Sequence, residues 1–251
     1  MNRRVAPRVI VIPDPRFVEM GTDLFSAGTG SIPVLSATKN KSVPISVSIA
    51  ITEALAMAAL AGGADAIQLR AKALARSDLV ALGRRLAAAC RARGALFFVN
   101  DDAAAALACG ADGVHVGPGD SAPAEARRLL GTRGCVGVSV YTDEDLEQAE
   151  AARANYVAVG AVYPTTTKAI AVVGLEAVRQ LRARTGLPII AIGGVDTANA
   201  AAAIAAGADG VAVISAVSGA AEPEAATRTL CARVGAALAV RAGGRPGRRS
   251  S

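Results

Sequence analysis

The sequence predicts an α/β fold, with eight parallel strands closed into a (β/α)8 TIM barrel. Three observations carry this expectation. First, small residues, one polar residue and a short apolar run recur together four times, at Gly62–Arg70, Cys109–Gly117, Ala152–Gly160 and Ala206–Ser215. Their polar residues are Asp65, Asp112, Asn155 and Asp209, spaced 47, 43 and 54 residues apart. Second, that spacing is about two strand-plus-helix units, so each gap must hold one further strand, and each does. Third, Ala/Leu/Arg/Glu segments with helical spacing lie between the strands.

The elements follow in order. Val9–Asp14 is the first strand. Residues 21–44 are rich in Gly, Ser, Thr and Lys and too long for an ordinary connection, so a flexible insertion over the barrel mouth is expected. The Ala-rich stretch that follows is interrupted by Glu53 and reads as a soluble helix rather than a membrane span. The gap strands are Leu96–Asp101, Cys135–Val140 and Pro188–Gly194, each bounded by Gly or Pro. Helices are expected at Asp78–Ala92, Ala122–Leu130, Asp143–Ala152, Leu175–Thr185 and Thr197–Ala206. Near-continuous apolar strands between helices imply a parallel sheet covered on both faces. An open doubly wound sheet fits less well, because no G-x-G-x-x-G follows the first strand. Residues 1–240 thus form one domain, and 241–251 a basic tail expected to be disordered.

Composition narrows the function. The chain has 251 residues, 52% of them hydrophobic, which is enough for a large core and excludes general disorder. Aromatics are only 3% and Trp is absent, which argues against stacking on nucleic-acid bases. The formal charge of +6 resides in seven arginines at the two ends, and the rest of the chain is slightly negative. No nucleic-acid or membrane partner is expected. The four cysteines are scattered and read as buried thiols of a reducing cytoplasm. His115 is the only histidine, so zinc and Cys-His chemistry are disfavoured, and mid-strand it reads as a neutral core residue. No secretory signal is evident, and oligomeric state is not legible.

In such a barrel, function gathers where the strands end. After the second strand, alternation puts Gln68, Arg70 and Lys72 on the axial side, with Ile67 and Leu69 toward the helices. Inward cations call for an anion, although a salt-bridge layer inside the barrel would also satisfy them. Asn100, Asp101 and Asp102 end the third strand, and Asp120 follows the fourth. Asp101 and Asp120 can share one hard cation with substrate phosphates, as Mg²⁺ is usually held. Asp102 reads as a helix cap, and Asp120 fits either role. The sixth strand ends in Thr165, Thr166, Thr167 and Lys168, a donor-rich loop. Gly193, Gly194, Ile214 and Ser215 end the last two strands, where this barrel commonly cradles phosphate. Two anion sites follow: a nearly uncharged monophosphate cradle, and a cationic diphosphate site.

These residues resemble the thiamine-phosphate synthase family from about Ala54 to Ala220. The resemblance rests on Gln68–Lys72, Val99–Asp101, Gly110–Gly117 with Asp120, Gly137–Ser139, Gly160–Lys168, Gly193-Gly194 and Val213–Ser215. It implies condensation of an aminopyrimidine diphosphate with a thiazole phosphate. By the same resemblance, Gln68, Arg70, Lys72, Asn100 and Lys168 would bind the pyrimidine diphosphate, and Asp101 and Asp120 Mg²⁺. Ser139 would lie beside the pyrimidine. Thr165, Thr167, Gly194, Ile214 and Ser215 would hold the thiazole phosphate. Arg70, Lys72, Lys168 and Ser139 would carry the chemistry. A thiazole tautomerase-like relative would not need the cations, a phosphoribosyl isomerase would need an acid–base pair, and a non-catalytic phosphate-binding barrel would not turn over.

Overall fold

The computed structural model describes residues 6–18, 44–167 and 171–243. Residues 21–43 of the expected insertion and Lys168 lie outside the described residues. The strands are β1 Val9–Val11, β2 Ala66–Leu69, β3 Leu96–Asn100, β4 Gly113–Val116, β5 Cys135–Ser139, β6 Tyr156–Val159, β7 Ile189–Ile192 and β8 Gly210–Val213. They pair in sequence order and close into a barrel, with β8 parallel to β1.

Alternation along each short strand sorts the side chains. Ile10, Ala66, Phe98, Tyr156, Ala158, Ile190 and Ala212 pack inside the barrel. Val9, Val11, Ile67, Leu69, Phe97, Val99, Val114 and Val136 pack outward under the helices. Those helices are α1 Ile45–Ala61, α2 Arg76–Ala92, α3 Ala103–Cys109, α4 Pro123–Leu130, α5 Asp143–Ala151, α6 Gly174–Arg184, α7 Ala200–Ala205, α8 Ser215–Ser218 and α9 Pro223–Gly243. Among the described residues, no helix is long and apolar enough to cross a membrane.

The fourfold repeat has one physical cause. Each of its polar residues clamps one residue at the start of the preceding strand. The Asp65 carboxylate accepts the Val9 N–H at 2.9 Å, and the Asp65 N–H donates to the Val9 carbonyl at 3.1 Å. Asp112 holds Phe97, Asn155 holds Val136 and Asp209 holds Ile189 in the same two-point way. These clamps satisfy backbone groups that the staggered barrel floor leaves exposed, and they recur at alternate strand pairs, which sets the period.

Three expectations need correction. The last repeat helix begins at Ala200, not Thr197, because Asp196 accepts the Ala198 and Asn199 N–H groups and holds them in a turn. Residues 241–243 are not tail. They finish α9, where Arg241 pairs with Asp209 at 2.7 Å, and of the expected tail residues 244–251 lie outside the described residues. Cys231 is half-buried, its thiol on the Gly63 carbonyl, whereas the other three cysteines are buried. The sequence reading also missed α9, which packs against α1 and α7.

Candidate active site

The C-terminal ends of the strands surround a cavity of about 190 Å³. Every candidate site residue among those described lines it, from Gln68, Arg70 and Lys72 to Thr165, Thr167, Gly194, Ile214 and Ser215. The alternation expected in β2 holds: Ile67 and Leu69 pack under helices, while Gln68, Arg70 and Lys72 face the cavity.

The acidic side of the mouth is fixed by the backbone. Asp101 sits just after β3 at φ 69°, a left-handed conformation that Asp tolerates better than most residues. Its N–H donates to the His115 carbonyl at 2.8 Å, which ties the β3 tip to β4. The next residue, Asp102, turns away and caps α3 by accepting the Ala105 N–H at 2.8 Å. Asp120 does not cap α4, whose N-cap is Ala122 without a side-chain bond. Its carboxylate instead accepts the Gly117 N–H at 3.0 Å and lies against that of Asp101. Burial raises the Asp120 pKa, and the hydrogen bond and charge of Asp101 raise it further.

Lys72 Nζ stands 2.9 Å from Asp101 Oδ2. The pair is at the rim, with the lysine 60% exposed, rather than in a salt-bridge layer inside the barrel. Arg70 lies close enough for its charge to act on Asp14 after β1.

The residues present fit a divalent cation. Two like-charged carboxylates press together at the mouth, and a hard cation would relieve their repulsion. Among the described residues no cluster of three or more potential ligands exists, so such an ion would complete its shell with ligand oxygens and water.

Across the mouth, Thr165, Thr166, Gly194 and Ser215 form a second cup. Gly194, at φ 67°, is pressed against the Pro164 carbonyl where a side chain would collide. The Thr165 hydroxyl accepts the Thr167 N–H at 3.2 Å, and Asn199 Nδ2 braces the loop on the Gly194 carbonyl at 2.8 Å. The one carboxylate of the cup, Asp196, is engaged by N–H groups of its own loop.

Among the lining residues not singled out as site residues are His115 and Tyr156. His115 is indeed buried, as expected, yet it faces the cavity rather than the helices. The signal was present in β4, where Val114 and Val116 take the outward parity and leave His115 inward. Burial pushes its pKa down to about 4, so the ring is neutral at neutral pH. Its nitrogens lie 3.1 Å from the Tyr156 hydroxyl and 2.9 Å from that of Ser139.

The fold and this mouth define a (β/α)8 barrel with one polar, charge-lined cavity at the C-terminal ends of its strands. A family model described as thiamine monophosphate synthase matches residues 44–217. The chain belongs to that family, which places it among the transferases. It is similar to the thiamine-phosphate synthase of Moorella thermoacetica, 49% identical over 178 residues, covering 70% of this chain and 85% of that protein. A thiamine-phosphate synthase of Roseiflexus sp. (strain RS-1) is 50% identical over 188 residues, covering 74% and 79%. Among solved structures, a thiamine phosphate pyrophosphorylase from Pyrococcus furiosus superposes with a TM-score of 0.73 at 33% identity, covering 92% and 96%.

Proposed function

We propose that this protein joins 4-amino-2-methyl-5-(diphosphooxymethyl)pyrimidine to a thiazole phosphate, giving thiamine phosphate and pyrophosphate with Mg²⁺ in the cytoplasm. One observation carries the reading: Arg70, Lys72, Asp101 and Asp120 meet at one cavity, beside a nearly uncharged Gly/Ser/Thr cup. The printed names of the relatives support the same activity.

Gln68, Asn100, Arg70 and Lys72 receive the diphosphate. The guanidinium offers a planar fork and the ammonium a point charge. Asp101 and Asp120 would hold Mg²⁺, which supplies neutralisation of the charge that gathers on the leaving oxygens. Lys168 joins this side in the proposal, although it lies outside the described residues. Ser139 lies beside the pyrimidine. Thr165, Thr167, Gly194, Ile214 and Ser215 hold the thiazole phosphate.

The bond from the pyrimidine methylene carbon to the diphosphate oxygen breaks, and its electron pair leaves with pyrophosphate. The thiazole nitrogen then supplies the pair for the new C–N bond. No proton moves between the two bonds, so no general base is required. The protein orients both partners, neutralises the leaving group and excludes water.

Incubation of the purified protein with both substrates tests this. Thiamine phosphate and pyrophosphate should appear in equal amounts. Binding of the thiazole phosphate without any product would leave a phosphate-binding barrel and end the proposal.

A further inference from the structure

We infer that Tyr156 and His115 are positioning residues that fix the Ser139 hydroxyl as a hydrogen-bond donor into the cavity. Three neighbouring strands supply the chain of contacts. Tyr156 Oη on β6 lies 3.1 Å from His115 Nδ1 on β4, and His115 Nε2 lies 2.9 Å from Ser139 Oγ on β5. Gly137 makes the first contact possible. It stands in register between His115 and Tyr156, and a side chain there would occupy the tyrosine ring. The two rings stack across it, 5.6 Å apart.

The direction of the protons follows from burial. Tyr156 is 1% exposed, and its hydroxyl holds one proton that must be given to an acceptor. Among the described residues, the hydrogen-bond partner of that hydroxyl is His115 Nδ1. Nδ1 is therefore the bare nitrogen of the neutral ring, and Nε2 carries its proton. Nε2–H then donates to Ser139 Oγ. The serine proton, with no acceptor left on His115, turns into the cavity that Ser139 lines. The opposite tautomer would strand the buried tyrosine proton and reverse the serine, presenting only a lone pair.

A fixed donor selects for an acceptor. With the substrates of the proposed function, on which this part rests, the acceptor is a ring nitrogen of the aminopyrimidine rather than its amino group. An aromatic ring that presents N–H at that point would be refused.

His115 is the only histidine, so the untagged protein labelled with ¹⁵N-histidine gives a single pair of ring-nitrogen signals. The expected spectrum shows a protonated Nε2 and a bare Nδ1. An Nδ1–H tautomer, or a ring protonated on both nitrogens, at neutral pH overturns the inference. Tyr156→Phe keeps the ring and removes the clamp. It should let the Nδ1–H form appear and raise KM for the pyrimidine diphosphate about five- to tenfold, with kcat less affected. Adding Ser139→Ala to that variant should cost less than it does in the parent. An unmoved tautomer in Tyr156→Phe, or fully additive effects, contradicts the inference. The tautomer is read without substrate, so failure of this inference and failure of the proposed activity are separate results.

Discussion

Lys72 Nζ lies 2.9 Å from Asp101 Oδ2, and that carboxylate also abuts Asp120. One aspartate is thus shared between a cation on β2's tip and a second carboxylate on β4's. The mouth carries both signs of charge within reach of each other. A ligand that brings phosphate oxygens can take Lys72 over, leaving the two carboxylates to a metal ion.

Asp101→Asn should lower turnover at least about tenfold, equivalent to ~1.4 kcal/mol of barrier. Asn keeps the size and the turn, so melting temperature should stay near that of the parent. Steady-state kinetics at saturating Mg²⁺ measures this, and full activity would remove Asp101 from the mechanism.

The depressed pKa of His115 makes stability depend on pH. The unfolded chain takes up this proton near the ordinary histidine value of 6.5, whereas the folded chain resists it down to about 4. The contribution is therefore present above pH 6.5 and is lost as pH falls toward 4. It amounts to roughly 3 kcal/mol. Urea melts across this window should show the loss, and His115→Asn should flatten it.

Asp209→Ala should destabilise the fold by roughly 2–3 kcal/mol with little effect on kcat. It removes the acceptor of the Ile189 N–H and leaves Arg182 and Arg241 without their carboxylate at the barrel floor. Denaturant unfolding and steady-state kinetics on the same preparation check both halves.

Two glycine substitutions should act in opposite directions. Gly137→Ala drives a methyl into the Tyr156 ring and should cost at least about 3 kcal/mol or prevent folding. Gly235→Ala, inside α9 with nothing within 4 Å, should stabilise by roughly 0.5–1 kcal/mol. Thermal melts of the two proteins decide the sign.

The repeat was legible because Asp65, Asp112, Asn155 and Asp209 each perform one backbone task, and that task fixes their spacing. Strand parity likewise placed Gln68, Arg70 and Lys72 on the cavity side. The dual nature of His115 was harder to see. Val114 and Val116 give it inward parity, but an inward mid-strand histidine can pack as core or line the cavity, and the closed barrel shows that it does both. Asp120 left two roles open because a cap and a mouth carboxylate share the same sequence position. The loop geometry around Gly117 separates them. Arg241 was read with the tail because its partner, Asp209, is distant in sequence.

The central claim is that Asp101 and Asp120 share a divalent cation with the departing diphosphate. Binding of Mn²⁺, a spectroscopic substitute for Mg²⁺, measured with and without pyrophosphate tests it most directly. If the claim holds, pyrophosphate tightens Mn²⁺ binding at least about tenfold, and Mn²⁺ tightens pyrophosphate binding by the same factor. Asp101→Asn and Asp120→Asn should each abolish that coupling. Equal Mn²⁺ affinity with and without pyrophosphate, or coupling that survives both substitutions, would contradict it.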